Sequence, residues 1–238
     1  MKKEKYLDCF PYAGGNVSVF DQLKKQLEPE IQVIGIEYPG HGKRFKENAA
    51  QSWDELMEDI AIQLRQLPDA ENVALMGYSM GSIVAAEVVQ RKLLSRGASH
   101  VFAMSHNAPH LTDVEDIWIE GTDYEIISRM KSLGGFERVD EKIIASRYFQ
   151  TMFMNPLKAD YHLLQIYRRE AIVQNDMEAT VLYSPKDASV NHIKEWEQYF
   201  INVNFKQIGE NHFILKEHAS DVADIVRMKC KGDWNEKK

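Results

Sequence analysis

Three residues of the sequence have the types and the order needed for nucleophilic catalysis. Ser79 lies in Gly-Tyr-Ser-Met-Gly, Asp187 in Ser-Pro-Lys-Asp, and His212 in Gly-Glu-Asn-His-Phe. A serine hydroxyl is a weak nucleophile until a histidine removes its proton, and that histidine needs a carboxylate to orient its ring. The three residues therefore predict attack of a serine on a carbonyl group, with the histidine as base and the aspartate as its partner.

The segment around Ser79 predicts a sharp turn from a strand into a helix. Residues 74–90 read ALMGYSMGSIVAAEVVQ, in which an apolar run meets Gly-x-Ser-x-Gly and a helical pattern follows at once. The two glycines leave room for close approach of strand and helix, and the free N–H groups of the helix start face the reaction centre. This pattern is the nucleophile elbow of α/β-hydrolases. The alternative is an ordinary turn in which a solvent-facing serine caps the helix.

Eight histidines compete for the role of the base. In α/β-hydrolases the chain order is Ser, then Asp or Glu, then His, and His212 follows the last predicted strand. His218 falls on the pattern of the closing helix, so we expect it to face solvent. The histidines that follow earlier strands, lie in a predicted insertion or open a helix are His41, His106, His110, His162 and His192. The alternative for His212 is a loop histidine with a structural hydrogen bond.

The acid is predicted from its place after a strand. Asp187 follows the run ATVLYS, where the acid of this fold lies. Some α/β-hydrolases instead carry the acid after the preceding strand, but that loop has no carboxylate before Asp113. The alternative for Asp187 is a turn aspartate that bonds its own backbone.

A tetrahedral oxyanion needs backbone donors, and the sequence offers two places for them. The N–H that follows the nucleophile belongs to Met80, and a second donor is expected from the loop after an early strand. The first predicted strand leads directly into Pro-Tyr-Ala-Gly-Gly, residues 11–15. Its two glycines let the backbone approach a ligand closely.

Strand and helix patterns alternate along the chain, which predicts an α/β-hydrolase fold with a mostly parallel sheet and flanking helices. The predicted strands are 6–10, 31–37, 72–77, 100–105, 179–184 and 203–208, and the predicted helices are 17–27, 53–67, 80–94, 191–200 and 216–229. Between about 107 and 176 only helical patterns occur, at 124–133, 140–153 and 159–170. We interpret this interval as a helical lid inserted into a single domain of residues 1–238.

Composition excludes several classes of function. The 238 residues carry a formal net charge of −7, which argues against a nucleic-acid-binding surface. No apolar run is long enough for a membrane helix, and the basic N-terminus lacks the apolar region of a signal peptide. Two widely separated cysteines fit a reducing compartment, so we expect a cytoplasmic protein. The sequence has no Cys-x-x-Cys pair or carboxylate cluster at ligand spacing, and we expect neither a metal nor a cofactor.

The sequence resembles the type II (external) thioesterases of nonribosomal peptide and polyketide synthases over almost its whole length. Its strings CFPYAGG, EYPGHGKR and MGYSMGSIVAAEV are similar to the oxyanion loop, the turn after the second strand and the elbow of that family. The strings SLGG and NPLKADYHLLQIYR resemble its lid helices, and YSPKDASV and GENHFIL complete the pattern. The elbow points only to the superfamily, whereas the lid strings are specific to the thioesterases.

The resemblance implies a role for each matching residue. Ser79 corresponds to the nucleophile, Asp187 to the acid and His212 to the base, and the Ala13 and Met80 amides correspond to the oxyanion donors. The sequence departs from the family pattern at three places. Tyr12 and Tyr78 stand where histidine is usual, and Glu210-Asn211 replaces the usual glycine before the catalytic histidine.

The family resemblance implies hydrolysis of short or aberrant acyl groups from the phosphopantetheine of acyl or peptidyl carrier proteins. Residues 123–170 hold eight basic and seven acidic side chains, so this part of the lid is less acidic than the rest of the chain. That balance suits docking of acidic carrier proteins, and it equally suits a merely solvated helical face. Two alternatives are a small-molecule carboxylesterase or acyl-CoA thioesterase, and a non-catalytic binding module. We expect a monomer.

Overall fold

The computed structural model describes residues 4–70, 72–94, 97–115, 117–136, 140–169 and 171–230. Six strands form one sheet in which all neighbours run parallel, in the order β2-β1-β3-β4-β5-β6. The strands are β1 (Lys5–Phe10), β2 (Gln32–Gly35), β3 (Asn72–Tyr78), β4 (Ala98–Met104), β5 (Asn175–Tyr183) and β6 (Phe200–Gln207). The predicted α/β architecture with a mostly parallel sheet is confirmed.

Helices cover both faces of the sheet. The helices α1 (Asp21–Leu27), α2 (Trp53–Arg65), α3 (Met80–Gln90) and α9 (Ile214–Lys229) belong to the strand–helix alternation. Between β4 and β5 lie α4 (Ile117–Glu120), α5 (Asp123–Ser132), α6 (Glu141–Ile144), α7 (Arg147–Phe149), a π-helical turn (Gln150–Met154) and α8 (Asn155–Ile166). None of the described residues between 107 and 174 is in a strand. Residues 116, 137–139 and 170 of the predicted insertion lie outside the described residues.

The side chains of β3 show why the central strands are mostly apolar. All seven residues of this strand are buried. Val73 and Leu75 belong to the apolar cluster under α2 and α3, whereas Ala74 and Met76 belong to the cluster under α1 and α9. Successive side chains of a strand point to opposite faces, so a strand with helices on both faces is mostly apolar. The buried polar side chain of Asn72 lies at the first position of β3.

Two element bounds differ from the sequence prediction for tertiary reasons. β5 begins at Asn175, before the predicted start at residue 179, because its polar first residues pair with β6 at the edge of the sheet. The predicted helix 191–200 is only a 3₁₀ segment, Ile193–Gln198, and Phe200 already belongs to β6. The indole of Trp196 is fully buried there and donates to the His106 carbonyl at 3.0 Å. The buried indole anchors the segment, which keeps short 3₁₀-type bonds such as that from the Tyr199 amide to the Trp196 carbonyl at 3.0 Å.

Candidate active site

Ser79 occupies a strained backbone position between β3 and α3. Its φ and ψ are 52° and −116°, in a region that residues with a side chain rarely adopt. Its amide donates to the Met104 carbonyl at the end of β4 at 2.7 Å, which anchors the turn to the neighbouring strand. The predicted elbow is therefore present, and it carries the serine at the carboxyl edge of the sheet, where ligands bind in parallel α/β folds.

Both glycines of the elbow are required by close backbone packing. A Cβ atom at Gly77 would lie 2.1 Å from the Gly81 carbonyl oxygen, and one at Gly81 would lie 2.0 Å from the Phe10 carbonyl oxygen. The second contact joins the start of α3 to the end of β1. The glycines thus set the distance between the nucleophile and the loop that follows β1.

A buried hydroxyl holds the elbow in place. The Ser82 Oγ donates to the Gly77 carbonyl at 2.9 Å and accepts the Met104 amide at 2.9 Å. Met104 is the last residue of β4. The first turn of α3 is therefore bonded to β3 and β4 at once, which opposes relaxation of the strained serine.

The structure brings the three predicted catalytic residues together. The His212 Nε2 lies 3.0 Å from the Ser79 Oγ, and the His212 Nδ1 lies 2.7 Å from the Asp187 Oδ2. A carboxylate accepts, so Nδ1 carries a proton and Nε2 is free to accept the serine proton. These contacts join residues that are 133 and 25 positions apart in the chain. The arrangement can transfer a proton from the serine to the histidine as the serine attacks.

The environment of Asp187 keeps its carboxylate ionised. Its side chain is fully buried, and Oδ1 accepts the Ser189 hydroxyl at 2.5 Å and the Ser189 amide at 3.1 Å. Burial alone raises the pKa of this carboxyl, but the hydrogen bonds from His212 and Ser189 outweigh burial and lower the pKa below its ordinary value. An ionised aspartate stabilises the imidazolium that forms during proton transfer.

Several side chains hold the His212 loop, including some at positions that depart from the family pattern. The Tyr78 and Ser105 hydroxyls both donate to the His212 carbonyl, at 3.1 and 2.9 Å. The Asn211 Oδ1 accepts the Phe213 amide at 2.8 Å, so the side chain that precedes the histidine closes its own turn. Glu210 forms an exposed ion pair with Lys186, beside Asp187. Sequence reasoning missed the roles of Tyr78 and Ser105 because the carbonyl that both hydroxyls contact is more than 100 residues away in the chain.

Replacing Tyr78 by phenylalanine is expected to lower kcat about tenfold, with little change in KM. The substitution removes one of the two hydroxyls that hold the His212 carbonyl, and the loss of such a bond typically costs about 1–1.5 kcal/mol. Burial raises the pKa of Tyr78 well above its usual value, so the hydroxyl stays a donor across the working range. Steady-state kinetics should show the effect.

The matched control for Tyr78→Phe is Tyr183→Phe. Within the part of the chain that the structure describes, the Tyr183 hydroxyl has one hydrogen bond, which it accepts from the exposed Gln207 amide group at 3.0 Å. We expect this variant to keep the wild-type kcat. A Tyr78→Phe protein that is folded and equally fast would show that the Ser105 hydroxyl holds the loop without help.

The two predicted oxyanion donors lie at the start of α3 and in the loop after β1. Met80 is the first residue of α3, where the backbone N–H has no acceptor within the helix. Ala13 is buried in the turn of residues 11–15, which the Gly15 amide closes by donating to the Tyr12 carbonyl at 2.8 Å. The close approach of Gly81 to the Phe10 carbonyl places the two segments side by side.

A cavity of about 450 Å³ opens beside Ser79 and His212. Trp118 of α4 and Tyr161 of α8 line its wall, and their rings stack at a centroid distance of 4.3 Å. Burial lowers the pKa of His106, which also lines the cavity, to about 4, so this imidazole is neutral. The volume falls in the range of small-molecule sites. The geometry therefore suits a small acyl group placed under the helices that follow β4.

Three further histidines have partners outside the line from Ser79 to Asp187. His218 bonds to Asp221 at 2.9 Å on the surface, as expected from its place on the closing helix. His41 is buried against Asp160 at 2.9 Å, and His110 stacks on Tyr199.

Across the described ranges, no group of three or more His, Cys, Asp or Glu side chains could hold a metal ion. In the same part of the chain, no helix is long and apolar enough to cross a membrane.

Comparison with known proteins identifies the family. The sequence model of the thioesterase domain matches residues 6–230. The chain is 27% identical over 221 residues to a probable cadicidin biosynthesis thioesterase of Streptomyces griseus, covering 91% of this chain and 60% of that protein. It is 24% identical over 239 residues to LgrE of Brevibacillus parabrevis, which is named a linear gramicidin dehydrogenase, covering 94% and 86%.

A solved structure shows the same relationship. RedJ, a thioesterase of the prodiginine biosynthetic pathway in Streptomyces coelicolor, superimposes with a TM-score of 0.82 at 26% identity, covering 96% of this chain and 86% of that chain. The predicted resemblance is thus confirmed at the level of both sequence and fold. Because the match spans nearly the whole described chain, from β1 to the end of α9, this protein is an α/β-hydrolase enzyme that belongs to the thioesterase domain family.

Proposed function

We propose that this protein hydrolyses acyl thioesters on the phosphopantetheine of carrier proteins, as type II thioesterases of nonribosomal peptide and polyketide synthases do. The observation that carries the proposal is the set of hydrogen bonds that joins Ser79, His212 and Asp187. Ser79 and His212 line a cavity under the helices between β4 and β5. Support for the carrier substrate comes from the thioesterase-like lid strings and from the relatives named for cadicidin and prodiginine biosynthesis.

The proposed reaction has two steps. His212 Nε2 takes the Ser79 proton as Oγ attacks the thioester carbonyl, and the Ala13 and Met80 amides donate to the oxyanion. The C–S bond then breaks, and His212 gives its proton to the departing thiol. In the second step His212 takes a proton from water as the water oxygen attacks the acyl-serine carbonyl. The ester C–O bond then breaks, His212 returns the proton to the Ser79 Oγ, and the free acid is released. Asp187 stays ionised throughout and orients His212.

The proposal includes the organisation of the chain. We assign residues 1–238 to a single domain, with the insertion at about 107–176 acting as a lid over the cavity. We further propose that the enzyme works in the cytoplasm as a monomer. Sedimentation of the purified protein tests its oligomeric state.

Rates on three substrates that carry the same acyl group test the function. We expect kcat/KM for an acyl-loaded carrier protein to exceed that for the acyl-CoA by at least about tenfold, because the carrier adds binding contacts worth roughly 1.4 kcal/mol or more. The third substrate is the nitrophenyl ester, and Ser79→Ala is the control on all three. Equal rates on carrier protein and CoA would identify an acyl-CoA thioesterase, and a preference for the ester would identify a carboxylesterase.

A further inference from the structure

A residue of the insertion bonds directly to the loop that follows β1. The Gly14 amide donates to the Asp160 Oδ2 at 2.7 Å, although the two residues are 146 positions apart. Gly14 has a φ of +72°, and a Cβ atom there would lie 2.8 Å from the Leu157 Cβ. Both Leu157 and Asp160 belong to α8. This helix therefore sits directly on the turn that carries Ala13.

The bond to Asp160 fixes one of the two peptide planes that flank Ala13. The plane between Ala13 and Gly14 is held by the donation of Gly14 to Asp160. The plane between Tyr12 and Ala13 contains the Ala13 N–H, and its carbonyl accepts the Gly15 amide at 2.8 Å. With both planes bonded, the direction of the Ala13 N–H is determined. Without the Asp160 bond, the Ala13–Gly14 plane would lose its anchor, and only the bond from Gly15 to the Tyr12 carbonyl would hold the Ala13 N–H.

Asp160 is itself fixed by a buried partner. Its Oδ2 lies 2.9 Å from the His41 Nε2, and the His41 Nδ1 lies 3.0 Å from the Pro39 carbonyl. A carbonyl only accepts, so Nδ1 carries a proton. Burial lowers the pKa of His41, but the Asp160 carboxylate and the Pro39 carbonyl raise it above its ordinary value. Both side chains are almost fully buried, so their contact is shielded from water.

We infer that Asp160 is a positioning residue, which orients the Ala13 amide through Gly14 and couples α8 to the oxyanion site. The inference rests on the proposed function, in which Ala13 is an oxyanion donor. It also gives His41 a role, since its Nε2 contacts the same Asp160 oxygen, Oδ2, that accepts the Gly14 amide. The enzyme can then stabilise the oxyanion only while α8 packs on the loop that follows β1. The position of the insertion therefore controls whether the site is active.

The test compares Asp160→Ala with Asp160→Asn. Alanine removes the acceptor of the Gly14 amide, and we expect kcat to fall about 10- to 100-fold with KM changed less than about threefold. Complete loss of one oxyanion donor typically costs about 10²–10³ in kcat, and a misdirected donor costs somewhat less. Asparagine keeps an acceptor oxygen and should restore most of that loss. A merely structural residue would show neither the split between kcat and KM nor the rescue.

Glu87 supplies the matched control. Its carboxylate is as buried as that of Asp160 and also binds across elements, to Arg91 and Arg169, at the far end of α3 from the elbow. We expect Glu87→Gln to lose stability to a similar extent in thermal unfolding and to keep kcat within about twofold. An equal fall of kcat in Asp160→Ala and Glu87→Gln would overturn the inference, because loss of any buried ion pair would then explain it.

The rate at which a fluorophosphonate labels Ser79 separates the inference from the proposed function. The phosphonyl oxygen occupies the oxyanion site during attack, so labelling reports the Ala13 donor whatever the natural substrate is. We expect labelling of Asp160→Ala to slow by about 10- to 100-fold, the same factor as for kcat. An unchanged labelling rate would refute the role of Asp160. A wild-type protein that is labelled but releases no acyl group from carriers would refute the proposed function alone.

The pH dependence of stability gives a further readout. Because the pKa of His41 is raised in the folded protein, its pairing stabilises the fold fully below about pH 6.5, and this contribution is lost as pH rises through the raised value. The groups that face the ring are Asp160, Glu37 and the edge of Tyr38. We therefore expect the stability difference between wild type and Asp160→Asn to be larger at about pH 6 than at about pH 9. An equal difference at both values would show that His41 is neutral.

Discussion

Substitution of Ser79 by alanine is expected to lower the rate of thioester hydrolysis by about four to six orders of magnitude. The hydroxyl oxygen is the only atom removed, and it is the atom that His212 Nε2 contacts at 3.0 Å. Alanine keeps the Cβ atom, so the strained turn between β3 and α3 is retained. Single-turnover assays with an acyl-loaded carrier protein give the rate, and circular dichroism shows whether the fold is intact.

The same assay on histidine variants tests whether the three residues act as a unit. His212→Ala should lose nearly as much activity as Ser79→Ala, and the double variant should lose no more than either single one. His218→Ala is the matched control, because His218 makes the same ring-to-carboxylate contact, to Asp221 at 2.9 Å, but on the surface. Substantial activity remaining in Ser79→Ala would exclude the serine mechanism altogether.

Replacing Gly81 by alanine is expected to lower the free energy of unfolding by about 3 kcal/mol or more. Adding even small groups to a packed interior typically costs about 1–3 kcal/mol, and here the new atom would meet rigid backbone. The Cβ atom would lie 2.0 Å from the Phe10 carbonyl oxygen, so either β1 or α3 must move. Denaturant unfolding measures this loss, and activity should fall as well because the predicted oxyanion loop, residues 11–15, follows directly after Phe10.

Gly97→Ala is the control for that substitution. A Cβ atom at Gly97 would meet no atom within 4 Å, so we expect the stability to change by less than about 0.5 kcal/mol. If Gly81→Ala unfolds at the same denaturant concentration as Gly97→Ala, the elbow has more freedom than its close contacts indicate.

The sequence was sufficient to predict the parts of the fold that depend on local pattern. The apolar run Val73–Met76 of β3, the two glycines around Ser79 and the periodicity of α2 each reflect short-range steric or burial requirements. Such requirements can be read within a window of a few residues. The polar start of β5 and the segment around Trp196 were predicted less well, because pairing with β6 and burial of one indole decided them.

The residues of the candidate site likewise fall into those that the sequence could predict and those that it could not. Ser79, Asp187 and His212 could be chosen from the sequence because the chain order of the fold and the ends of predicted strands limit the choice. The Tyr78 hydroxyl could not be assigned, since its acceptor is a backbone carbonyl 134 residues away. The sequence marks Tyr78 only as a departure from the family pattern. Its contact with the His212 loop supplies a physical reason for a hydroxyl at that position.

By itself, the sequence determined that this chain can form a strand–turn–helix presenting a serine, with an acid and a base in the order that an α/β-hydrolase requires. Only the tertiary structure decided that the Gly14 amide, Asp160 and His41 meet in one buried contact. The reason is geometric. Parallel strands gather loops from distant parts of the chain at one edge of the sheet, and which side chains touch there depends on strand order and helix placement rather than on neighbouring residues.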